Sequence, residues 1–140
     1  MKEKIIITGA NGFIGSRLTS RLQESGKEVI KLDRSLLTLP EALTKVLDEV
    51  RPCAIYHLAA YGNHYDQKDP RGIFDANLFG TFNLLEAVRE RDLDYFVNTG
   101  SSSEYGKKEL PMREDMLPDT DTLYGAAKVG GTYLARAYAA

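Results

Sequence analysis

The 140-residue chain is poor in several features that mark particular protein classes, beginning with cysteine, since Cys53 is the single example. One cysteine excludes an intramolecular disulfide framework and a cysteine-rich metal site. No apolar run approaches the roughly 20 residues that a membrane span needs, and no signal peptide precedes the first predicted strand. Basic residues are not in excess, because 20 Asp and Glu offset 18 Lys and Arg, which argues against nucleic acid or a charged membrane surface as a partner.

The rest of the composition is that of an ordinary globular protein. Apolar residues make up 43% of the chain and charged residues 27%, which gives enough apolar surface to offset the entropy lost on folding. A length of 140 residues fits one compact domain. We therefore expect residues 1–140 to form one cytoplasmic domain without a metal site.

Strand and helix patterns alternate along the chain and predict an α/β fold with a doubly wound parallel sheet. The predicted strands are Lys4–Thr8, Glu28–Asp33, Cys53–Leu58 and Tyr95–Thr99. The predicted helices are Asn11–Ser25, Pro40–Arg51, Gly72–Glu90 and a last one from Leu123. The last helix reaches Ala140 with no glycine cap and no following strand, so we expect an architecture cut off after this helix.

A glycine-rich segment between the first strand and the first helix indicates a dinucleotide site. Gly9, Gly12 and Gly15 are spaced as G-x-x-G-x-x-G, and Phe13 and Ile14 lie between the last two. Glycines allow a tight turn there and let a pyrophosphate approach the N–H groups at the helix N-terminus. The same glycines could serve only a packing turn, but the strand–turn–helix context favours the phosphate site.

Two residues at the end of the second predicted strand bear on the choice of cofactor. Asp33 follows Gly15 by 18 residues, where a carboxylate accepts hydrogen bonds from the adenosine ribose and repels a 2′-phosphate. This position favours NAD. Arg34 could instead pair with the phosphate of NADP, and a solvated Asp–Arg pair at a strand end is the plain alternative.

Hydroxyl and amine groups suited to proton transfer follow the fourth predicted strand. Tyr124 and Lys128 are four residues apart on one helix, so they lie on the same face. A nearby cation favours the phenolate and is expected to lower the pKa of Tyr124 towards the range of a general base. The serines from Ser101 to Ser103 lie at the carboxyl end of a strand, where open α/β sheets bind ligands.

Taken together, these segments resemble the N-terminal part of extended short-chain dehydrogenases/reductases of the nucleotide-sugar epimerase/dehydratase type. The resemblance spans nearly the whole chain and is carried by TGANGFIG (Thr8–Gly15), LD (Leu32–Asp33), HLAA (His57–Ala60), NLFGTFNLLEA (Asn77–Ala87), SSSEYG (Ser101–Gly106) and YGAAK (Tyr124–Lys128). It implies a Rossmann-type domain and hydride transfer at a sugar carbon of a nucleotide sugar. The resemblance also implies that the C-terminal part, which holds most of the substrate contacts in the family, lies outside these 140 residues.

The resemblance also implies roles for individual residues. Tyr124 would be the catalytic base, and Lys128 would hold the nicotinamide ribose. Counting back from the Tyr–Gly pair that closes the SSSEYG block gives Ser101 as the catalytic serine, with Ser102 as the alternative. Further cofactor contacts are implied at Leu58, Ala59, Ala60 and Asn77.

The chain departs from the family pattern in two places. Dehydratases carry an acid pair directly after the catalytic hydroxyl residue, where this chain has Ser102 and Ser103 with Glu104 displaced by one. An epimerase or reductase is therefore favoured. The other departure is the interval between Asp33 and His57, whose 23 residues hold mostly one helix. The strand that usually contacts adenine is therefore expected to be absent, or vestigial around Leu36–Leu39.

Other interpretations concern function class, assembly and the histidines. A catalytically idle dinucleotide-binding or interaction module is the alternative to an enzyme. The Gly72–Glu90 helix has more apolar surface than one sheet face covers, and family members dimerise through such helices, so we expect a homodimer with Phe79 or Phe82 near its centre. His57 is expected to pack locally, and His64 to lie in a loop over the nicotinamide edge.

Overall fold

A computed structural model describes residues 3–140, which form one parallel sheet covered by helices. The sheet order is β2-β1-β3-β4, and every pairing is parallel. The strands are β1 (Lys4–Thr8), β2 (Glu28–Leu32), β3 (Ala54–His57) and β4 (Tyr95–Asn98). The principal helices are α1 (Phe13–Glu24), α2 (Pro40–Val50), α3 (Pro70–Phe74), α4 (Gly80–Val88) and α5 (Leu123–Tyr138). The predicted fold class is confirmed.

The central strand β1 has apolar side chains on both faces, as its Ile5-Ile6-Ile7 run predicts. Ile5 and Ile7 pack with Leu18 and Leu22 of α1 on one face. Ile6 packs on the other face with the larger core, which contains Leu37, Leu43, Leu47, Ile55, Leu84 and Val88. None of the helices within residues 3–140 is long and apolar enough to cross a membrane.

The interval between β2 and β3 contains no strand within the described residues, as the sequence predicts. A 3-10 helix, Arg34–Thr38, follows β2 directly. Its first turn is capped by Asp33, and Leu37 is fully buried in the larger core. A buried leucine in a short helix therefore fills the space beside β2.

The long helix predicted from Gly72 to Glu90 is divided into three parts. It begins earlier, at Pro70, because Asp69 caps the N–H groups of Arg71 and Gly72. The segment Asp75–Phe79 between α3 and α4 is π-helical. Apolar spacing does not reveal this change of winding, which places the Asn77 side chain in the protein interior.

Candidate functional site

The carboxyl ends of all four strands meet at one edge of the sheet, where two clefts adjoin. The first, of about 410 Å³, lies between the glycine loop, the end of β2 and residues 58–60. The second, of about 350 Å³, continues from the glycine loop past Phe13 and Ile14 to Thr99 and Tyr124. Parallel pairing explains this convergence, because it directs every strand end to the same side.

The glycine loop is packed too closely for side chains at two positions. A Cβ on Gly9, whose φ is +67°, would lie 2.8 Å from the backbone nitrogen of Ala59. A Cβ on Gly15 would lie 2.2 Å from the carbonyl oxygen of Gly9. Among the described residues, no side chain caps the start of α1 and no acidic residue lies in its first turn, so its N–H groups can receive an anion.

Asp33 lies at the opposite wall of the first cleft and is exposed. Its Oδ1 accepts hydrogen bonds from the backbone N–H and the hydroxyl of Ser35, at 2.8 and 2.6 Å. These two bonds lower the pKa of Asp33 below its ordinary value and keep the carboxylate ionised. The neighbouring Arg34 guanidinium lies 5.4 Å from the ring centre of Tyr61.

Leu58, Ala59 and Ala60 form the wall between the two clefts. Thr8 fixes this wall, because its Oγ1 accepts hydrogen bonds from the N–H groups of Leu58 at 3.1 Å and Ala59 at 3.0 Å. Both lone pairs are then used, which leaves the Thr8 O–H to donate to Nδ1 of His57, 2.8 Å away. His57 therefore carries its proton on Nε2.

The hydrogen-bond chain continues from His57 into the π-helical segment. Nε2–H donates to Oγ1 of Thr81 at 3.0 Å, and the Thr81 hydroxyl donates to the carbonyl of Asn77 at 2.8 Å. His57 is 2% exposed. Burial, with a smaller effect from the charge of Lys128, lowers the pKa of His57 to about 3. The predicted local packing role of His57 agrees with this arrangement.

Asn77, for which the family resemblance implies a cofactor contact, is bonded to backbone groups inside the protein. Its side chain is buried, and Nδ2 donates to the carbonyls of Tyr61 at 2.6 Å and Ile73 at 2.7 Å. Its Oδ1 accepts from the Tyr61 N–H at 3.3 Å. Because backbone groups occupy both ends of the amide, Asn77 holds Tyr61, the residue that follows the wall; a cofactor contact by Asn77 stays a prediction.

Tyr124 and Lys128 lie in the first two turns of α5 and face the second cleft and β4. The helix is capped by Thr122, whose hydroxyl accepts from the Gly125 N–H at 3.0 Å. A Cβ on Gly125 would lie 2.5 Å from the carbonyl oxygen of Ser103. The missing side chain at position 125 therefore allows α5 to approach the serine loop, and Lys128 Nζ donates to the carbonyl of Thr99.

The electrostatics of Tyr124 differ from the expected lowering of its pKa by Lys128. Burial is the largest effect and raises the pKa of Tyr124 above its ordinary value. Ser101 acts in the opposite direction through its hydroxyl, and Glu104 raises the pKa further. Burial likewise lowers the pKa of Lys128, against a smaller raising effect of Glu104. The i,i+4 spacing predicts that Tyr124 and Lys128 share a helix face. It does not predict how deeply they are buried, and burial decides the direction of both pKa shifts.

Ser101 is the serine that the structure brings to the Tyr124 phenol, since its hydroxyl influences the ionisation of that group. Its oxygen accepts from the Ser103 N–H at 3.1 Å, which leaves its own proton free to donate. Ser102 is exposed, and both serines line a further cavity, beside Arg136; Ser102 stays the alternative for the catalytic serine. His64 lines the Tyr124 cleft, as expected for its loop.

Several site residues were not singled out by the sequence analysis. Thr8 and Thr81 act through hydrogen bonds that join distant strands and helices, which no local pattern reveals. Lys31, on β2, lines the first cleft and donates to Asn11 at 3.3 Å. The alternation of side chains along a strand could have identified Lys31, because it places Lys31 on the opposite face from the buried Leu32. Glu104 is buried behind Ser101.

Comparison with known proteins gives relatives over almost the full length of the chain. The sequence model of the NAD dependent epimerase/dehydratase family matches residues 5–140. The chain is 31% identical over 166 residues to a probable UDP-glucuronate 4-epimerase of Rhizobium meliloti, covering 97% of this chain and 49% of that protein. It is 30% identical to a GDP-6-deoxy-D-mannose reductase of Pseudomonas aeruginosa, covering 96% of this chain and 46% of the relative.

Solved structures give the same result. The UDP-glucuronic acid 4-epimerase of Bacillus cereus in complex with NAD has a TM-score of 0.83 at 31% identity, covering 96% of this chain and 52% of that one. The dTDP-4-dehydrorhamnose reductase of Bacillus anthracis in complex with NADP has a TM-score of 0.86 at 29% identity. The match covers 99% of this chain and 50% of the reductase. The chain spans about half the length of these relatives. It belongs to the NAD dependent epimerase/dehydratase family.

Proposed function

We propose that the chain is the cofactor-binding and catalytic part of an NAD-dependent oxidoreductase that acts on a nucleotide sugar, most simply as an epimerase. The observation that carries this proposal is the position of Tyr124 on a cleft that begins at the glycine loop, with the Ser101 hydroxyl beside its phenol and Lys128, one turn further along α5, bonded to Thr99 of the same cleft. A module that only bound a dinucleotide would need the glycines, but it would not need a buried Tyr–Lys pair beside a serine.

The residues present fit a dinucleotide. Gly9 and Gly15 leave space that a Cβ would fill, and the uncapped start of α1 offers N–H donors for a pyrophosphate. Gly12, Phe13, Ile14 and the wall residues Leu58, Ala59 and Ala60 line the clefts where the cofactor would lie. When bound, NAD would supply hydride transfer to and from a sugar carbon.

The side chains of the chain divide the remaining work. The ammonium of Lys128 uses one N–H on the carbonyl of Thr99, so two N–H groups remain for ribose hydroxyls. Tyr124 would remove the proton of the sugar hydroxyl as the phenolate and return it as the phenol. Ser101 would hydrogen-bond the same sugar oxygen and stabilise the charge that develops there. The raised pKa of Tyr124 favours the acid form, and Ser101 acts towards the phenolate. The proposed mechanism requires Lys128 to act in the same direction when substrate is bound.

The family supports a substrate class, and Glu104 bears on the type of reaction. Relatives include UDP-glucuronate 4-epimerases, a UDP-glucose 4-epimerase and a GDP-6-deoxy-D-mannose reductase, which supports a nucleotide sugar. Glu104 directs its carboxylate to the Ser101 N–H and the Thr132 hydroxyl and is not free to act as a dehydratase acid. Epimerisation or reduction is therefore favoured over dehydration.

The test is turnover of nucleotide sugars by the complete protein with Tyr124→Phe. We expect turnover to fall by about 100-fold or more, while cofactor still binds, because the ring remains and only the proton-transfer group is lost. Tyr138→Phe is the matched control, since Tyr138 is in the last turn of the same helix and bonds Glu86. Turnover close to wild type in Tyr124→Phe would refute the mechanism.

Cofactor choice is a second part of the proposal. One Asp33 oxygen is held by Ser35, and the ionised carboxylate would accept from the ribose hydroxyls and repel a 2′-phosphate. NAD should therefore bind to the chain more tightly than NADP. Asp33→Ala should reduce or reverse this difference in affinity. Titration of NADH and NADPH fluorescence measures both affinities. A preference for NADPH in the unmutated chain would mean that Arg34 dominates.

Assembly is the third part. An almost wholly apolar surface groove lies between α4, the π-helical segment and α5, lined by Leu78, Phe79, Phe82, Gly130, Tyr133, Leu134 and Ala137. Phe79 is 47% exposed and Phe82 40%. Large exposed apolar patches mark interfaces, and a two-fold dimer would bury the same patch on both subunits. We therefore expect a homodimer centred on these phenylalanines.

Phe79→Lys tests the dimer. A buried ammonium without a partner disfavours the interface, so light scattering over a concentration series should give a dimer for the unmutated chain and a monomer for the variant. Glu41→Lys, on exposed α2 surface, is a control for the added charge. A monomer for the unmutated chain at high concentration would refute the proposal, and growth to undefined sizes would indicate that another segment covers this surface.

A further inference from the structure

Glu104 is a buried carboxylate that the proposed chemistry does not use. It is 6% exposed and belongs to the 3-10 helix Ser102–Tyr105. Its Oε1 accepts hydrogen bonds from the backbone N–H of Ser101 at 2.7 Å and from the hydroxyl of Thr132 at 3.2 Å. Burial of a carboxylate is costly unless donors or a cation compensate for it, and these are its compensating donors.

The two donors belong to different parts of the fold. Ser101 follows β4, whereas Thr132 lies in α5, two turns beyond Tyr124. One carboxylate oxygen therefore ties the loop that carries the candidate catalytic serine to the helix that carries Tyr124 and Lys128. The main chain leaves room for this contact, because a Cβ on Gly100 would lie 2.9 Å from the same oxygen.

The charge of Glu104 lies on the Lys128 face of α5, because Thr132, which donates to Glu104, follows Lys128 by four residues in that helix. It raises the pKa of Lys128 against the lowering caused by burial, and it raises the pKa of Tyr124. Lys128 is only 5% exposed, so a nearby negative charge helps to keep it an ammonium. Glu104 and Thr132 also line a cavity of about 620 Å³. The other charged and titratable side chains that line this cavity are Tyr105, Glu114 and Arg136.

Building on the proposed function, we infer that Glu104 is a positioning residue of the candidate active site, whose carboxylate fixes Ser101 to α5 and balances the buried charge of Lys128. It acts through those two residues and not on the substrate itself. A cap for a short helix would need only an acceptor oxygen, which a glutamine also supplies. The negative charge is what a positioning role requires in addition.

Two variants of the chain separate the acceptor from the charge. Glu104→Gln keeps an oxygen for Ser101 and removes the charge, whereas Glu104→Val removes both. Glu109→Gln, at an exposed glutamate in the following loop, is the matched control. We measure the titration of Lys128 by NMR of lysine labelled with 13C at Cε, and the exchange rate of the Ser101 amide proton.

We expect the Lys128 titration to move to lower pH in Glu104→Gln, while the Ser101 amide exchanges at nearly the wild-type rate. In Glu104→Val the Ser101 amide should exchange about tenfold faster or more, because a charge-assisted hydrogen bond is lost. An unchanged Lys128 titration in Glu104→Gln, or an unchanged Ser101 amide in Glu104→Val, would overturn the inference. If Glu104→Val does not fold, Thr132→Val tests the link to α5 by the same amide measurement.

These measurements need neither cofactor nor substrate, so they are independent of turnover. In the complete protein, Glu104→Gln should also shift the pH dependence of kcat to lower pH, since its charge raises the pKa of Tyr124. If the complete protein turns over no nucleotide sugar but the Lys128 titration moves as expected, the proposed function fails and the structural role of Glu104 stands.

Discussion

The buried imidazole of His57 makes the stability of the fold depend on acid pH. Burial lowers the pKa of His57 to about 3, whereas an unfolded chain has a histidine pKa of about 6.5. Between these values the unfolded state binds a proton that the folded state does not, so stability is complete above about pH 6.5 and falls as the pH is lowered towards 3. The hydrogen bonds also favour the neutral imidazole in the folded state. Nδ1 accepts the Thr8 hydroxyl proton and therefore has no room for a proton of its own.

The size of the effect follows from linkage. Each pH unit well inside this window costs about 1.4 kcal/mol. Between pH 7 and pH 4.5 the contribution of His57 should therefore destabilise the fold by roughly 2.5 kcal/mol. Small domains have a free energy of unfolding of about 5–15 kcal/mol, so this loss is large enough to measure.

The assay is urea unfolding at several pH values for the wild-type chain and for His57→Gln. Glutamine does not titrate in this range and can still donate to Thr81, so the difference between the two curves isolates His57 from the carboxylates. His64→Gln is the matched control, because that side chain is exposed and the variant should follow the wild-type curve. If wild type and His57→Gln lose stability in parallel between pH 7 and pH 4.5, the assignment of a buried, neutral His57 is wrong.

Three further substitutions test the packing that forms the site. Gly9→Ala should cost about 1–3 kcal/mol and abolish NADH binding, because its Cβ would meet the Ala59 nitrogen at 2.8 Å; wild-type binding by fluorescence titration would contradict this. Gly62→Ala should lower the free energy of unfolding by about 1–3 kcal/mol, because its Cβ would lie 2.5 Å from Cγ1 of Ile73 at a φ of +102°; an unchanged midpoint of urea unfolding would contradict this. Leu84→Ala, at a fully buried position, should lower the free energy of unfolding by about 2–5 kcal/mol, and a loss below about 1 kcal/mol in urea would mean that the core closes around the cavity.

Much of the architecture follows from local sequence alone. The Ile5-Ile6-Ile7 run can be buried only in a strand covered on both faces, and alternation with helices then requires parallel pairing, which the structure confirms. Glycines at positions 9, 12 and 15 mark the strand–helix turn, and at positions 9 and 15 a Cβ would meet backbone atoms at 2.8 and 2.2 Å. The shared face of Tyr124 and Lys128 is likewise a consequence of helix geometry.

Only the tertiary structure decided how these groups behave. The winding of the long helix changes at Asp75–Phe79, where the Asn77 side chain donates to the Tyr61 carbonyl. The pKa of Tyr124 rises because burial and the charge of Glu104 outweigh the hydrogen bond from Ser101. Glu104, which in the sequence is only an acid displaced by one position, becomes the link between Ser101 and α5. Hydrogen bonds and desolvation depend on which distant segments meet, whereas helical and strand periodicity depends only on neighbours along the chain. The sequence therefore determines which residues share a face, and packing determines their protonation and their partners.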